Sequence, residues 1–407
     1  MRKNGVNREL REIAGGICAP AGFRANGIHA GFSDNPQKKD LALVVADRRC
    51  PTACVFSAQS PQSGPACVSK RHVSKGLARA ILVNSGVANL YVPGGERLAE
   101  LACRALAARS DIDANDTVIA STGKIGKEMT LEPFEDFLRP LVQGLEGSEE
   151  ASLRAAEAIM TTDSYPKHTA FSFDLGDFPC KIGVLFKGNT RVSPNMATTL
   201  IFLTTDVNIS SEMLQKALRL SVKETVNLLC ADGISSPNDT VCIMANGKAG
   251  NYKISSDDTE FTKFTAALRR VLAEICRRIV KDCDQNHKVF LCKVTGAKSQ
   301  TLANAIATKV VSSYRIRQAI LRGYLDVESV AYAASEGAPD ANLQGVQISL
   351  CGAELEYVIY EEEGVLPVSR ENLTRLLEEE TVTVYIRMQG GNYSATAFGC
   401  LQPNEFC

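Results

Sequence analysis

The sequence has no tryptophan, only four histidines and almost no excess of charge. With 45 Lys+Arg against 46 Asp+Glu, its formal net charge is −1, so there is no electrostatic reason to expect a nucleic acid or an anionic membrane as partner. The four histidines show no metal-ligand spacing with any of the 14 cysteines. We therefore predict no metal site, and a small molecule as the partner.

Long apolar runs and a targeting segment are also missing. No uninterrupted apolar stretch is long enough to span a bilayer. Residues 1–16 are charged and lack the apolar run and small-residue cleavage site of a secretory signal. We expect a cytoplasmic protein, whose cysteines stay reduced and form no disulfides.

The glycine-rich loops of the common cofactor sites are absent. The sequence contains no GxGxxG after a strand and no GxxxxGK[ST], so neither a dinucleotide nor a nucleoside triphosphate is indicated. It also lacks GxSxG, which disfavours the common Ser–His–Asp hydrolases. We predict no cofactor.

Short Val- and Ile-rich segments alternate with segments of helical periodicity along the chain. The first read as buried strands, at 41–47, 78–86, 117–122, 180–188, 198–206 and 240–247. The second read as helices, at 95–110, 152–160, 211–229, 259–280 and 369–380. This interleaving predicts helices packed on sheets, and 407 residues exceed what one ordinary core supports.

Residues 187–206, KGNTRVSPNMATTLIFLTTD, are the most unusual stretch. A threonine after a tight turn can attack the preceding carbonyl, and an acyl shift followed by hydrolysis would leave that threonine as a new N-terminus. Its α-amine, with a pKa of about 7.7–8.0, would be a general base beside its own hydroxyl. Alternatively, Thr198 and Thr199 are simply β-branched residues that open a strand. The chemistry alone does not choose between these two threonines.

This segment, written KG-x4-SPNMATTL-x3-TTD, resembles the self-cleavage segment of the ornithine acetyltransferase (glutamate N-acetyltransferase) family. In that family the threonine after Met–Ala is the nucleophile. The resemblance therefore implies cleavage between Ala197 and Thr198, with Thr198 as the nucleophile. Further matching segments follow in order at 15–32, 39–47, 83–89, 120–126, 156–167, 203–206 and 235–241.

Other site residues follow from the same resemblance. Thr122 and Gly123, in ASTGKIG, match the pair that stabilises the oxyanion, and a hydroxyl beside a backbone N–H suits that task. Without the family, Ser–Thr–Gly is a turn after a strand. Lys187 matches a substrate-contacting lysine, although an isolated lysine is usually a solvated surface charge. Ser164 stands where the family usually has a substrate-contacting threonine.

The pattern departs from the family beyond about residue 250. In CDQNHK, at 283–288, Asp284 replaces the substrate-binding glutamate by a shorter carboxylate. A tryptophan-containing segment of the family is missing, and Asn404 lies near but does not align with a substrate-contacting asparagine. The segments around the nucleophile match the family, whereas the segments that bind the acceptor amino acid differ from it. We therefore expect the acceptor specificity to differ from ornithine and glutamate.

The resemblance implies an α/β fold: a layered α-β-β-α sandwich of the ornithine acetyltransferase/aminopeptidase-like superfamily, with a smaller C-terminal subdomain. An alpha fragment, 1–197, and a beta fragment, 198–407, would be interlinked in this one fold, and two of each would form a heterotetramer. The implied reaction moves an acetyl group from N2-acetylornithine to glutamate through a threonine acyl-enzyme, without a cofactor.

Two alternatives stay open. The changed acceptor side suits an N-terminal-nucleophile amidohydrolase or aminopeptidase, in which water takes the acyl group from a different N-acyl substrate. A non-catalytic paralogue would keep the fold as a binding subunit, but the retained MATT, STG and PNDT segments argue against it.

Overall fold

The computed structural model describes residues 10–189, 198–230, 236–283, 287–325, 327–338, 345–361 and 364–401. They fall into two compact units. The first unit holds the described residues of Met1–Gly188, Val192–Leu220 and Ser235–Val271, and the second those of Asn189–Arg191, Ser221–Ile234 and Leu272–Cys407. No helix in the described ranges is long and apolar enough to cross a membrane.

The strands and helices are as follows. The strands are β1 Arg11–Ile13, β2 Phe23–Ile28, β3 Leu41–Phe56, β4 Leu77–Asn84, β5 Thr117–Ser121, β6 Lys167–Leu175, β7 Phe178–Lys187, β8 Leu200–Thr205, β9 Leu229–Cys230, β10 Thr240–Ala245, β11 Val289–Ala297, β12 Gln347–Cys351, β13 Glu356–Glu361, β14 Gly364–Val365, β15 Thr381–Arg387 and β16 Tyr393–Gly399. The helices are α1 Gly64–His72, α2 Gly95–Ala107, α3 Glu132–Gln143, α4 Glu149–Ile159, α5 Ser211–Lys223, α6 Thr259–Lys281, α7 Gln300–Ser312, α8 Tyr314–Leu321, α9 Val327–Glu336 and α10 Arg370–Glu378.

The first unit is built on a nine-stranded sheet in the order β1-β6-β7-β8-β10-β3-β4-β5, with β2 also paired to β3. Strand β3 belongs to two halves of this sheet. Its first part pairs with β2 and β4, and its last residues pair with β10. The register shifts between Val45 and Cys50, and such an irregularity lets a long strand bend.

Alternate residues of β3 face two different layers, because side chains alternate across a strand. Leu43 and its neighbours at two-residue spacing pack against α1, α2 and α3. Val44 and its neighbours pack inward, in a core that contains α4 and residues of β8 and β10. On the other half of the sheet, the rings of Phe173 in β6 and Phe264 in α6 lie 6.3 Å apart. The expected α-β-β-α layering is confirmed.

The second unit has a seven-stranded sheet in the order β14-β13-β12-β15-β11-β16-β9. Its core is formed by sheet residues such as Phe290 and Val384 together with Ile306 and Val310 of α7. The six strands that follow residue 280 were not among the predicted strands. Partly exposed residues in β13 and β15 weaken the apolar pattern of these two strands, whereas β11 begins with the buried apolar run 289–292, which the prediction missed.

The helix predicted at 211–229 is shorter than expected. Helix α5 ends at Lys223, and Thr225 leaves helical geometry with φ −135° and ψ −80°. The Thr225 hydroxyl donates to the Ser221 carbonyl at 2.6 Å, a local bond that competes with helix continuation.

Candidate active site

Thr198 lies just before β8, in the interior of the first sheet. Strand β8 is antiparallel to β7, with Lys187 opposite Leu200, and parallel to β10, with Thr240 opposite Leu200. The start of β8 therefore lies beside the end of β7 and the start of β10, at one end of these three interior strands. Thr198 is 4% exposed there, so its hydroxyl sits in a largely desolvated position.

Hydrogen bonds hold both the side chain of Thr198 and the backbone around it. Its Oγ1 lies 3.0 Å from the Ser236 hydroxyl, with which it is hydrogen-bonded. The Nζ of Lys187 donates to the Thr198 carbonyl at 2.9 Å. In the next residue, the Thr199 N–H donates to Asp239 Oδ1 at 2.7 Å. The hydroxyl and the backbone around it thus have a defined orientation.

The turn before β10 supplies these partners. Asp239 uses its second oxygen to accept the N–H of Ser236 at 3.0 Å, so one carboxylate ties Ser236 to Thr199. The N–H of Asn238 donates to Ser236 Oγ at 3.2 Å. Its side-chain amide donates to the Ala88 carbonyl at 2.9 Å. The turn is therefore a rigid bridge between Thr198 and the loop after β4.

Lys187 is buried beside two other charged side chains. Its Nζ lies 3.7 Å from Asp163 Oδ2, and the Nζ of Lys167 lies 2.8 Å from Asp163 Oδ1. Burial lowers the pKa of Lys187, and the charge of Asp163 opposes this effect. Burial acts to raise the pKa of Asp163, but the two lysines hold it below its ordinary value. The lysine predicted as a surface charge without the family is thus an interior group that touches Thr198.

Thr122 and Gly123 follow β5 and lie against the loop after the parallel strand β4. The Thr122 N–H donates to the Asn84 carbonyl at 3.0 Å. Gly123 has φ +131°, and a Cβ there would come within 2.3 Å of the carbonyl carbon of Gly86, so only glycine fits. The Thr122 hydroxyl and the Gly123 N–H make no hydrogen bond to any other described residue. Among the described residues, both buried donors are therefore unused.

The two parts of the predicted site are connected through one intervening segment. The Ala88 N–H donates to the Lys124 carbonyl, next to Gly123, and the Ala88 carbonyl accepts from Asn238. Within the described ranges, neither Thr122 nor Gly123 hydrogen-bonds Thr198 directly.

Other predicted site residues are placed less fully. Ser164 is an exposed residue of the loop between α4 and β6, directly after Asp163. Ala197, Asp284 and Asn404 lie outside the described residues.

Sequence reasoning assigned no role to Ser236, Asp239 and Asp163, although all three lie in segments that match the family. Asp239 directly precedes β10, and Ser236 and Asp163 lie four residues before β10 and β6. The signal that could have found them is a carboxylate or hydroxyl in the loop that leads into a buried strand.

Two buried cysteines are poor candidates for the nucleophile. Burial raises the pKa of the Cys50 and Cys103 thiols to about 12, so neither is a thiolate near neutral pH. In the part of the chain that the structure describes, no three His, Cys, Asp or Glu side chains are grouped so that they could hold a metal ion.

Known proteins of one family match this chain over nearly its whole length. The sequence model of the ArgJ family matches residues 24–405. An arginine biosynthesis bifunctional protein ArgJ from Caldanaerobacter subterraneus is 32% identical over 392 residues, 95% of this chain and 96% of that protein. A glutamate N-acetyltransferase from Methanothermobacter thermautotrophicus is 32% identical over 400 residues, 96% of this chain and 95% of that protein.

A solved structure of an ornithine acetyltransferase from Mycobacterium tuberculosis, complexed with ornithine, is 29% identical. It covers 46% of this chain and 100% of its own, with a TM-score of 0.41. The family match continues to residue 405, well past residue 250, where the motif resemblance becomes weak.

Proposed function

The chain belongs to the ArgJ family and is an N-acetyltransferase, and we propose that it works through an acetyl-enzyme on Thr198 after cutting itself between Ala197 and Thr198. The donor is an N-acetyl amino acid and the acceptor is a second amino acid. The names of the relatives mention glutamate, ornithine and arginine biosynthesis. Together with the resemblance, they lead us to propose N2-acetylornithine as donor, glutamate as acceptor and a place in arginine biosynthesis.

The observation that carries this proposal is the position of the Thr198 hydroxyl. It is buried, hydrogen-bonded to Ser236 and located at the start of an interior strand. A threonine that merely opens a strand needs no such partner, whereas a nucleophile needs its oxygen held in one direction. The unused donors of Thr122 and Gly123 add the second requirement of acyl transfer, which is a site for the developing negative charge.

In self-cleavage, the Thr198 hydroxyl oxygen attacks the carbonyl carbon of Ala197, and the acyl group passes from nitrogen to oxygen. Water then hydrolyses the ester, which leaves a carboxylate on Ala197 and a free α-amine on Thr198. That amine, with an ordinary pKa of about 7.7–8.0, becomes a base next to the hydroxyl it must deprotonate.

In turnover, the α-amine takes the hydroxyl proton as Thr198 attacks the acetyl carbonyl of the donor. The oxyanion forms within reach of the Thr122 hydroxyl and the Gly123 N–H. The donor's amino acid leaves with the proton, and the acetyl group stays on Thr198 as an ester. The deprotonated amine of the acceptor attacks this ester and restores the hydroxyl.

We also propose that two alpha and two beta fragments assemble into a heterotetramer, which native mass measurement can test.

The proposal is tested by denaturing mass measurement and an acetyl-transfer assay. We expect the purified protein to consist of fragments Met1–Ala197 and Thr198–Cys407, and Thr198→Ala to remain one chain without transfer activity. Thr199→Ala is the matched control: it keeps the backbone N–H that Asp239 holds, so it should still be cut. A wild-type protein that stays full-length after long incubation contradicts the mechanism.

A further inference from the structure

Asp163, Lys167 and Lys187 form a buried charge cluster in the first unit. The three side chains are at most 2% exposed. The cluster brings two ammonium groups close to one carboxylate. A buried charge is costly unless an opposite charge or hydrogen bonds compensate for it.

The carboxylate of Asp163 is held in place by the backbone as well as by the lysines. Its Oδ1 accepts from Lys167 Nζ at 2.8 Å and from the Gly188 N–H at 3.0 Å. Its Oδ2 accepts from the Thr161 N–H at 3.0 Å. Because these bonds fix both oxygens, Asp163 is a stationary negative charge 3.7 Å from Lys187 Nζ.

Lys187 connects this cluster to the nucleophile, because its Nζ also donates to the Thr198 carbonyl. Four charged groups act on Lys187: Asp163 and Asp239 favour its protonated form, whereas Lys167 and Lys38 disfavour it. Burial disfavours the protonated form most strongly. Asp163 is therefore the main group that compensates for the burial of this ammonium.

We propose that Asp163 is a positioning residue for acetyl transfer: it keeps the Lys187 ammonium charged and directed at the backbone of Thr198. The catalytic consequence rests on the proposed function, but the charge state of Lys187 does not. A charged donor makes a stronger hydrogen bond than a neutral amine, so loss of the charge loosens Thr198 and weakens attraction for a substrate carboxylate.

Two substitutions should move the titration of Lys187 in opposite directions. Asp163→Asn keeps the shape of the side chain but removes its charge, so Lys187 should lose its proton at a pH about 1–3 units lower. Lys167→Met removes a like charge, so Lys187 should stay protonated to a pH up to about one unit higher. The alkaline limb of kcat/KM should follow each shift. A purely structural role would lower activity without moving this limb.

The experiment is a pH titration of the mature protein labelled with [ε-13C]lysine, with the Lys187 resonance assigned through Lys187→Arg. The pH profile of acetyl transfer is measured beside it. Asp111→Asn, which neutralises an exposed carboxylate paired with Arg79, should leave both unchanged.

Opposite shifts in the two variants support the proposal, and Lys167→Met alone decides it if Asp163→Asn does not fold. Unchanged titration, or shifts in the same direction, overturn it. If the wild type transfers no acetyl group, the proposed function fails while the Lys187 titration still decides this inference.

Discussion

Thr122 is a buried threonine whose hydroxyl is unused among the described residues. It is 1% exposed, and its hydroxyl makes no hydrogen bond to another described residue. Such a group is available to stabilise the oxyanion of a tetrahedral intermediate. We expect Thr122→Ala to lower kcat by roughly 10²–10³ while the protein remains folded and cut.

The control for this residue is Thr262→Ala, which removes an exposed hydroxyl in α6 that donates to the carbonyl of Asp258, the residue directly before this helix. Steady-state kinetics of both variants should show a loss only for Thr122→Ala. An unchanged kcat in folded, cleaved Thr122→Ala protein would remove Thr122 from the mechanism.

At the scale of elements, the loop after β5 packs so closely on the loop after β4 that this contact restricts which residues the loop after β5 can hold. Gly123 and Gly126 both have positive φ, at +131° and +71°. A Cβ added at Gly123 would meet backbone at 2.3 Å, whereas one added at Gly126 would have nothing within 4 Å. Gly126→Ala should lower the free energy of unfolding by about 1–2 kcal/mol through its backbone conformation alone. Gly123→Ala should cost about 1–3 kcal/mol more, because the backbone of Gly86 must move.

Urea unfolding of the two glycine variants measures this difference, and the acetyl-transfer assay gives its consequence. Because the Gly123 N–H would move with the loop, we expect Gly123→Ala to lose activity and Gly126→Ala to keep it. Equal unfolding midpoints for the two variants would show that the close approach does not constrain the loop.

At the scale of the whole molecule, the family match extends to residue 405, and the sequence predicts changed acceptor contacts within this match. By the resemblance, Asp284 stands where the family has a glutamate, one methylene longer, and a shorter carboxylate would reach a substrate amine less well. We expect Asp284→Glu to raise kcat/KM for N2-acetylornithine with glutamate roughly tenfold.

The measurement is a panel in which each N-acetyl amino acid is combined with each free amino acid or with water as acceptor. It gives the substrate preference of the wild type and of Asp284→Glu. Asp257→Glu, an exposed change on the first unit, serves as the control. The hypothesis of a changed acceptor specificity is wrong if the unchanged protein already prefers N2-acetylornithine plus glutamate at about 10⁴ M⁻¹s⁻¹ or above and Asp284→Glu brings no gain.

The amino-acid sequence by itself determined the features that depend on adjacent residues. Buried strands of the first unit follow from apolar runs at 41–47 and 240–247, which coincide with parts of β3 and β10. The MATT and STG segments pointed to Thr198, Thr122 and Gly123 through their resemblance to the family, which short stretches of adjacent residues carry. These predictions needed no knowledge of which strands are neighbours.

The tertiary structure alone decided which distant residues meet. Ser236 reaches Thr198 because β8 and β10 are parallel neighbours, although 38 positions separate the two residues. Asp163 reaches Lys187 because the backbone of Gly188, directly after β7, holds its carboxylate. Pairing of strands is a non-local choice, made by the burial of whole faces rather than by any one segment. For that reason Thr198 could be proposed as the nucleophile from the sequence, while the groups that contact it, Ser236 and Lys187 with Asp163, needed the tertiary structure.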